Sequence, residues 1–339
     1  MVVGQEIAVA ILVTGAAGFI GFHVAQALLA RGEAVVGIDN FNSYYPVSLK
    51  RARIAALVAD HPDFTCITGD FGAEGALSAL LGDRPIDRII HLGAQAGVRY
   101  SIEAPFAYAR SNLIGHLEVL EFARARRVGH LVYASSSSVY GGNTKLPFAV
   151  EDRVEHPVSL YAATKKADEL MSESYAHLYR IPQTGLRFFT VYGPWGRPDM
   201  APWLFTDAIL AGRPIRLFNH GNVRRDFTFI DDIVAGVIGA LDHVPADDGA
   251  EKPGGSKSPH ALYNLGNEVS EPVSRLVAAI EAACGRQAIT ELVPMQPGDV
   301  EGTHADIEAT RRNLGFSPRI GLDVGIARFV DWFRHYHGV

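Results

Sequence analysis

The chain has 339 residues, 48% of them hydrophobic and 20% charged, which is enough apolar material for a full core and enough length for two lobes or one large domain with a smaller companion. Thirty-one basic residues against 37 acidic ones leave a net charge of -6. That balance excludes general electrostatic affinity for nucleic acid or acidic lipid, so an anionic substrate would need its own local cluster of arginines. Cys66 and Cys284 are the only cysteines and neither stands in a CxxC or Cys/His spacing, so a disulfide framework and a structural zinc site are excluded and a reduced, cytoplasmic setting is expected.

The first apolar run, residues 7–13, is too short to cross a membrane and ends in a glycine-rich loop. It reads as a buried strand, and neither a signal peptide nor a membrane span is expected. Short apolar runs at 9–14, 34–38, 64–68, 88–92, 131–134 and 183–187 then alternate with longer helical patterns such as 19–31 and 159–179. This rhythm predicts an α/β fold, a doubly wound parallel sheet with helices on both faces. Beyond about residue 187 glycine, proline and arginine become frequent, as at 192–200 and 212–225. Such a segment suits a smaller lobe over the carboxyl edge of the sheet, where ligands bind in this class. Residues 245–260, rich in Pro, Gly, Ser and charge, predict a mobile surface loop. No internal repeat is present.

The first predicted strand runs into Gly15-Ala16-Ala17-Gly18-Phe19-Ile20-Gly21, which opens a helix. In that context Gly15 permits a tight turn, Gly18 lets the backbone approach a pyrophosphate, and Gly21 allows close helix–sheet packing. The helix N-terminus offers N–H groups and a positive dipole end to the phosphates. Asp39 closes the second strand about 20 residues after the glycines, where a carboxylate accepts both ribose hydroxyls and repels a 2′-phosphate. NAD is therefore expected rather than NADP, although Asp39-Asn40 also reads as a turn. Asp70, after the third strand, is a candidate for the adenine amino group or for a helix cap. The expected division is a Rossmann domain for NAD in residues 1–190 and a mainly substrate-binding lobe in 191–339, with some segments returning to the first domain.

Tyr161 and Lys165 form YxxxK on the predicted helix 159–179, so both lie on one face. A phenol titrates near about 10 unaided. A neighbouring ammonium and a nicotinamide cation favour the phenolate and make it a usable base. Ser135-Ser136-Ser137-Ser138 follows the fifth strand at the sheet's ligand edge, where a hydroxyl can bridge the phenol and a sugar hydroxyl by donating and accepting together. Helix capping is the plain structural alternative for each serine.

Gly15-Ala-Ala-Gly18-Phe-Ile-Gly21, Asp39-Asn40, His91-Leu-Gly-Ala-Gln-Ala-Gly97, the serine run with Val139-Tyr140-Gly141, and Tyr161-Ala-Ala-Thr-Lys165 together resemble the nucleotide-sugar 4-epimerases and dehydratases. Within that group the chain looks most like the UDP-glucuronate 4-epimerases. The stretches that carry this are Arg187-Phe-Phe-Thr190-Val-Tyr-Gly-Pro-Trp-Gly-Arg197-Pro-Asp-Met200, Arg224-Arg225-Asp226-Phe227 and Pro294-Met-Gln-Pro-Gly-Asp299-Val300. The resemblance implies that Ser136 holds the catalytic Ser/Thr position beside Tyr161 and Lys165. It implies Gly15, Gly18, Phe19, Ile20, Gly21, Asp39, Asn40 and Asp70 around NAD, with Tyr161 and Lys165 reaching it too. It places Ser137, Ser138 and Thr190 near the C6 group of the sugar. Arg197 and Arg225 would lie near the diphosphate, and Arg99 and Asp299 in the substrate region; as isolated residues, the arginines read equally as surface ion pairs.

Departures from neighbouring families sharpen the expectation. Dehydratases of this kind carry Asp-Glu beside the catalytic hydroxyl, and the decarboxylases carry Glu just before Val-Tyr-Gly, where this chain has Ser138. UDP-glucose/galactose epimerases usually carry Asn where Thr190 stands. The resemblance thus implies oxidation of UDP-glucuronate at C4, rotation of the 4-keto sugar about its diphosphate tether, and reduction on the other face, with NAD regenerated and tightly held. A 4-keto uronate is a β-keto acid that can lose CO₂, and hydroxyls holding its carboxylate out of alignment would guard against that. A homodimer joined through helices 104–126 and 159–179 is also implied, and Leu113, Leu117 and Leu120 could supply part of its packing stripe. Epimerisation of another UDP-sugar, decarboxylation, and a noncatalytic NAD-sensing regulator remain as alternatives. No metal is expected.

Overall fold

The structure is a computed structural model that describes residues 9–296 and 298–339. Positions 7 and 8 of the first apolar run, and Pro297 of the 294–300 stretch, lie outside the described residues.

Seven parallel strands form the main sheet: β1 (Ala10–Thr14), β2 (Val35–Asp39), β3 (Thr65–Thr68), β4 (Ile86–His91), β5 (His130–Ser136), β6 (Gln183–Phe188) and, after three short strands elsewhere, β10 (His260–Leu265). Their order is β10-β6-β5-β4-β1-β2-β3. The order reverses between β1 and β4, and a ligand crevice opens outside the carboxyl ends of strands at such a switch point. Strands covered on both faces read as continuous apolar runs, which is why AILVT of β1 and VVGID of β2 are buried at every position.

Successive side chains of β1 serve different layers. Ile11 and Val13 pack with Phe22, Val24 and Leu28 of α1 (Phe19–Ala30) and with Ile233 and Val237 of the later helix Ile230–Asp242. Ala10 and Leu12 pack with Val119, Leu120 and Phe122 from the opposite face. The period of two thus assigns one strand to both halves of the core. The remaining helices are α2 (Val47–Asp60), α3 (Ala76–Leu81), α4 (Tyr100–Glu103), α5 (Pro105–Tyr108), α6 (Gly115–Arg126), α7 (Leu160–Tyr179), α8 (Ala201–Leu210), α9 (Ile230–Asp242), α10 (Val273–Cys284), α11 (Glu308–Leu314) and α12 (Leu322–His337). Residues 104–126, expected as one helix, are continuous but pass from α5 to α6 through a wider π turn, Ala109–Ile114. Buried Asn112 in that turn accepts from Gln95 N at 2.8 Å and donates to Thr164 Oγ1 of α7 at 3.0 Å, so the irregular turn ties a site loop to the helix of Tyr161.

The smaller lobe carries β7 (Thr190–Tyr192), β9 (Arg224–Phe229) and β11 (Ser270–Pro272) in one sheet and β8 (Ile215–Leu217) with β12 (Thr290–Leu292) in another. β10 returns from this half of the chain to pair with β6.

Two expectations change. The 245–260 segment is tied down, not a free loop: Leu262 N donates to Pro253 O at 2.9 Å, Ser256 Oγ to Glu173 at 2.9 Å, and Ser258 is buried. Its polar residues answer one another and α7 while delivering the chain to β10. The Leu113/Leu117/Leu120 set also divides, because Leu120 is fully buried against the sheet, Leu113 is half-buried and Leu117 is exposed. Among the described residues no helix is long and apolar enough to cross a membrane.

Candidate active site

The β1–α1 turn is shaped by contacts that exclude side chains. Gly15 sits at φ +70°, and a Cβ there would stand 2.7 Å from the amide nitrogen of Gly93 at the end of β4. A Cβ on Gly21 would fall 2.1 Å from the Gly15 carbonyl oxygen. The first turn of α1 carries no acidic residue, so its unpaired N–H groups face the cavity without a competing anion.

Asp39 ends β2 and is buried. Its Oδ2 accepts from Ala17 N at 3.1 Å and its Oδ1 from Phe41 N at 2.8 Å. The turn reading and the ribose reading are therefore compatible: the two backbone donors fix a carboxylate that has lone pairs left for hydroxyls. Asn40 Nδ2 donates to Asp70 Oδ2 at 3.2 Å, and Gly72 N donates to Asp70 Oδ1 at 2.8 Å, which joins the ends of β2 and β3 into one rim. These features fit NAD. The backbone cradle admits a pyrophosphate, and an ionisable acid stands where the adenosine ribose would lie.

Ser159 caps α7, its Oγ accepting from Ala162 N at 3.1 Å, and this places Tyr161 in the first turn at the cavity wall. Lys165, one turn on, is buried and donates to the Ala134 carbonyl at 2.9 Å and to Asp168 Oδ2 at 3.0 Å. His91 accepts or donates across 2.7 Å to Thr14 Oγ1; burial, and then the charge of Lys165, pull its pKa down to about 3, so it is neutral.

The serine run is divided in use. β5 extends through Ser136, so Ser135 and Ser136 point to opposite sides of the strand. Ser135 Oγ donates to Glu169 at 2.7 Å, and Arg187 Nε and Nη2 hold the same carboxylate at 2.8 and 2.9 Å. Burial opposes ionisation of Glu169, but Arg187 outweighs it and keeps the carboxyl below its usual range. Removing one partner of such a buried pair costs about 3–5 kcal/mol. Arg187 and Ser135 therefore lock β5, β6 and α7 together. Ser136 Oγ accepts from Ser138 N at 3.1 Å, capping the 3-10 turn Ser137–Tyr140 and leaving its O–H free to donate.

On the lobe side, Thr190 heads β7. Arg197 grips Asp199 in a two-point pair at 3.0 and 2.5 Å, and Tyr44 OH donates to Asp199 Oδ2 at 3.0 Å. Burial works against the Asp199 charge, yet Arg197 holds its carboxyl below the usual range. Arg99 reaches Asp299 at 3.1 Å and lies over the Phe218 ring, half exposed. Arg225 donates to the Arg224 carbonyl at 2.9 Å; burial lowers its pKa from the usual guanidinium value.

Every residue named from the sequence for catalysis, cofactor or substrate lines one cavity of about 760 Å³ at the sheet's switch point. Sequence reasoning passed over several others. Arg53 is fully buried and donates from Nη1 to the Ala17 carbonyl and Tyr45 OH, both at 2.8 Å, and from Nη2 to the Trp195 carbonyl at 2.6 Å. It links the glycine turn to the segment that carries Arg197. Tyr44, Asp168 and Asp199 were also missed; only Asp199 carried a signal, its place two residues after Arg197.

The sequence profile of the NAD-dependent epimerase/dehydratase family matches residues 11–253. The chain belongs to that family. This NAD-dependent epimerase/dehydratase is 47% identical over 335 residues to UDP-glucuronate 4-epimerase 3 of Arabidopsis thaliana, covering 96% of this chain and 77% of the plant protein. It is 47% identical over 329 residues to a probable UDP-glucuronate 4-epimerase of Rhizobium meliloti, covering 95% and 96%. Its structure superimposes with a TM-score of 0.86 on the UDP-glucuronic acid 4-epimerase of Bacillus cereus in complex with UDP-glucuronic acid and NAD, at 34% identity over 96% of this chain and 99% of that one.

Proposed function

We propose that this family member is a UDP-glucuronate 4-epimerase, interconverting UDP-glucuronate and UDP-galacturonate with NAD as a resident cofactor. The observation that carries the reading is one cavity in which Tyr161, Lys165 and Ser136 share the walls with Ser137, Ser138 and Thr190. A base faces a set of hydroxyls, and no carboxylate occupies position 138.

Bound NAD supplies a reversible hydride acceptor for C4 of the sugar. Tyr161 takes the proton of the 4-hydroxyl, with the Ser136 O–H in the relay, and returns it after the sugar has turned. Lys165 keeps a positive charge beside the phenolate. Arg197 and Arg225 hold the diphosphate, so remote binding energy retains the 4-keto sugar while it rotates. Ser137, Ser138 and Thr190 donate to the C6 carboxylate and hold the C5–carboxylate bond out of line with the carbonyl π system. Serine at 138 offers no carboxylic acid at that position to protonate the enolate that CO₂ loss would leave.

We also infer a homodimer through α5–α6 and α7. These adjacent helices present Phe106, Ile114, Leu117, Leu170 and Leu178 to solvent, with Phe106 85% exposed. Large apolar side chains exposed on neighbouring helices favour a partner of the protein's own kind.

The deciding experiment is incubation of the purified protein with UDP-glucuronate and no added cofactor, with mass spectrometry and chromatography of the products. UDP-galacturonate with little CO₂ is expected. A UDP-pentose as main product, or no turnover with NAD bound, would overturn the reading.

A further inference from the structure

Asp168 lies almost one turn beyond Lys165 on α7 and is 1% exposed. Its Oδ2 accepts from Lys165 Nζ at 3.0 Å, and its Oδ1 is buried with no hydrogen-bond partner among the described residues. The ionisable groups facing this spot come from four elements: Lys165 and Glu169 on α7, His91 at the end of β4, His116 on α6 and Tyr133 on β5. Glu169 is neutralised by Arg187 and Lys166. Burial, reinforced by nearby positive charge, holds both histidines far below the usual imidazole range and therefore neutral. Burial likewise keeps Tyr133 a neutral phenol. Lys165 is thus the cation in contact with Asp168, and Asp168 is its anion.

An ammonium has three N–H donors. The Ala134 carbonyl takes one and Asp168 a second, which leaves one for the cavity that Lys165 lines. We propose that Asp168 is a positioning residue for the epimerase reaction: it aims the Lys165 ammonium at Tyr161 and tempers the positive field there, and so sets the lower end of the pH range in which Tyr161 acts as base. The proposal rests on the function given above. Asp168 follows Tyr161 by seven residues, about 10.5 Å along the helix. A unit charge about 10 Å away, at an effective dielectric of about 20, moves a titration by about one pH unit. Burial, offset in part by Lys165, pushes the Asp168 carboxyl up to about 6, so it is ionised at neutral pH and is lost as a counter-charge in acid.

Asp168→Asn keeps an oxygen acceptor for Lys165 and removes the charge; Asp168→Ser removes the charge with a smaller polar side chain, so one folded variant suffices to read the charge effect. Asp168→Ala removes acceptor and charge together. The measurement is kcat/KM for UDP-glucuronate against pH, with bound NAD quantified in each protein. In Asp168→Asn the acid limb moves to lower pH by about one unit, because the phenolate is less opposed, and NAD is retained. Asp168→Ala shows the same displacement and also loses kcat by about tenfold or more, since Lys165 is no longer aimed. An acid limb coincident with wild type, or displaced to higher pH, in a folded variant overturns the proposal and leaves Asp168 a structural residue. An ultraviolet phenolate titration of wild type against Tyr161→Phe, and of Asp168→Asn against the double variant, reads the same displacement without turnover. An inactive wild type that still shows this displacement would therefore refute the substrate reading while sustaining the role of Asp168.

Discussion

Lowering the pH from 7 to 5 should remove a large part of the stability of this protein. Four histidines, His91, His116, His130 and His260, are buried among the described residues, and burial also pulls half-buried His23 down to about 4, so that it adds to the effect of His91, His116 and His130. His91 is wedged between Thr14 and His116, His116 is within 2.9 Å of Ser172 Oγ, and His130 lies 3.0 Å from Thr184 Oγ1 and 3.2 Å from the Leu241 carbonyl. Burial pulls His91 down to about 3 and His130 to about 4, and it pulls His116 well below the ordinary value. An unfolded histidine titrates near about 6.5. A folded-state value below the unfolded one means that the stabilising contribution is complete above about pH 6.5 and is lost as the pH falls, because the unfolded chain takes up protons that the native one refuses. At pH 5 the loss is about 2 kcal/mol each for His91 and His130, with His116 adding in the same direction. Asp168, raised by burial to about 6, takes up its proton over the same interval and returns about 1 kcal/mol. Against a total of about 5–15 kcal/mol for a domain, a net loss of about 3 kcal/mol or more is large. Urea unfolding at pH 7 and pH 5, at fixed ionic strength, measures it. His130→Gln retains a polar contact with Thr184 and removes one titration, so its loss between the two pH values should be smaller by about 2 kcal/mol. Equal wild-type stability at both pH values, or an undiminished loss in His130→Gln, would refute the reasoning.

Tyr161→Phe should abolish most turnover while the purified protein still carries NAD, measured by product assay and by cofactor released on denaturation; near-normal turnover would remove Tyr161 as the base. Thr190→Val removes a donor worth about 1.5–3 kcal/mol to a charged group, so KM for UDP-glucuronate should rise about 10-fold or more and the fraction of UDP-pentose should increase. Mass spectrometry of the products tests both, and an unchanged product ratio would mean that Thr190 does not restrain the carboxylate. Leu170→Glu combined with Leu178→Glu places charge at apolar positions that α7 exposes, and light scattering should then report a monomer where wild type gives a dimer. A monomeric wild type would dispose of the dimer altogether.

The parts of this molecule that were readable in the sequence are those whose geometry is set within one turn or one strand. Gly15 and Gly21 announce themselves because a β1–α1 turn at this distance leaves no room for Cβ. Tyr161 and Lys165 do so because a helix brings the fourth residue onto the same face. Strands β1, β2 and the first part of β5 were visible because burial on both faces demands apolar runs, whereas β4 (IDRIIH) and β6 (QTGLRF) showed only partial runs and were legible from the alternation with helical stretches. β10 was not placed, although it is buried throughout, because β7, α8, β8, β9 and α9 separate it in the chain from its partner β6 and no local pattern names that partner.

The same distinction divides the site. Arg53 joins Ala17 to Trp195, 36 residues back and 142 residues ahead, and a solitary arginine in a helical stretch reads as surface charge until those carbonyls are seen around it. Arg187 stood inside a recognisable motif, yet its carboxylate partner Glu169 belongs to a different element, and only the buried pair explains why an arginine occupies a sheet core. The serine run was closer to being readable. Once β5 is carried two residues past Ala134, alternation alone sends Ser135 and Ser136 to opposite sides. One hydroxyl is then committed to Glu169 and the other belongs to the cavity. A strand ended too early at the sequence level thus concealed which serine is structural. The error came from a boundary, since β5 extends into polar residues that an apolar-run criterion stops short of. Asp168 falls on the far side of this division: its spacing from Lys165 is local, but the burial that makes its charge matter is contributed by β4, β5 and α6, which no window around residue 168 contains.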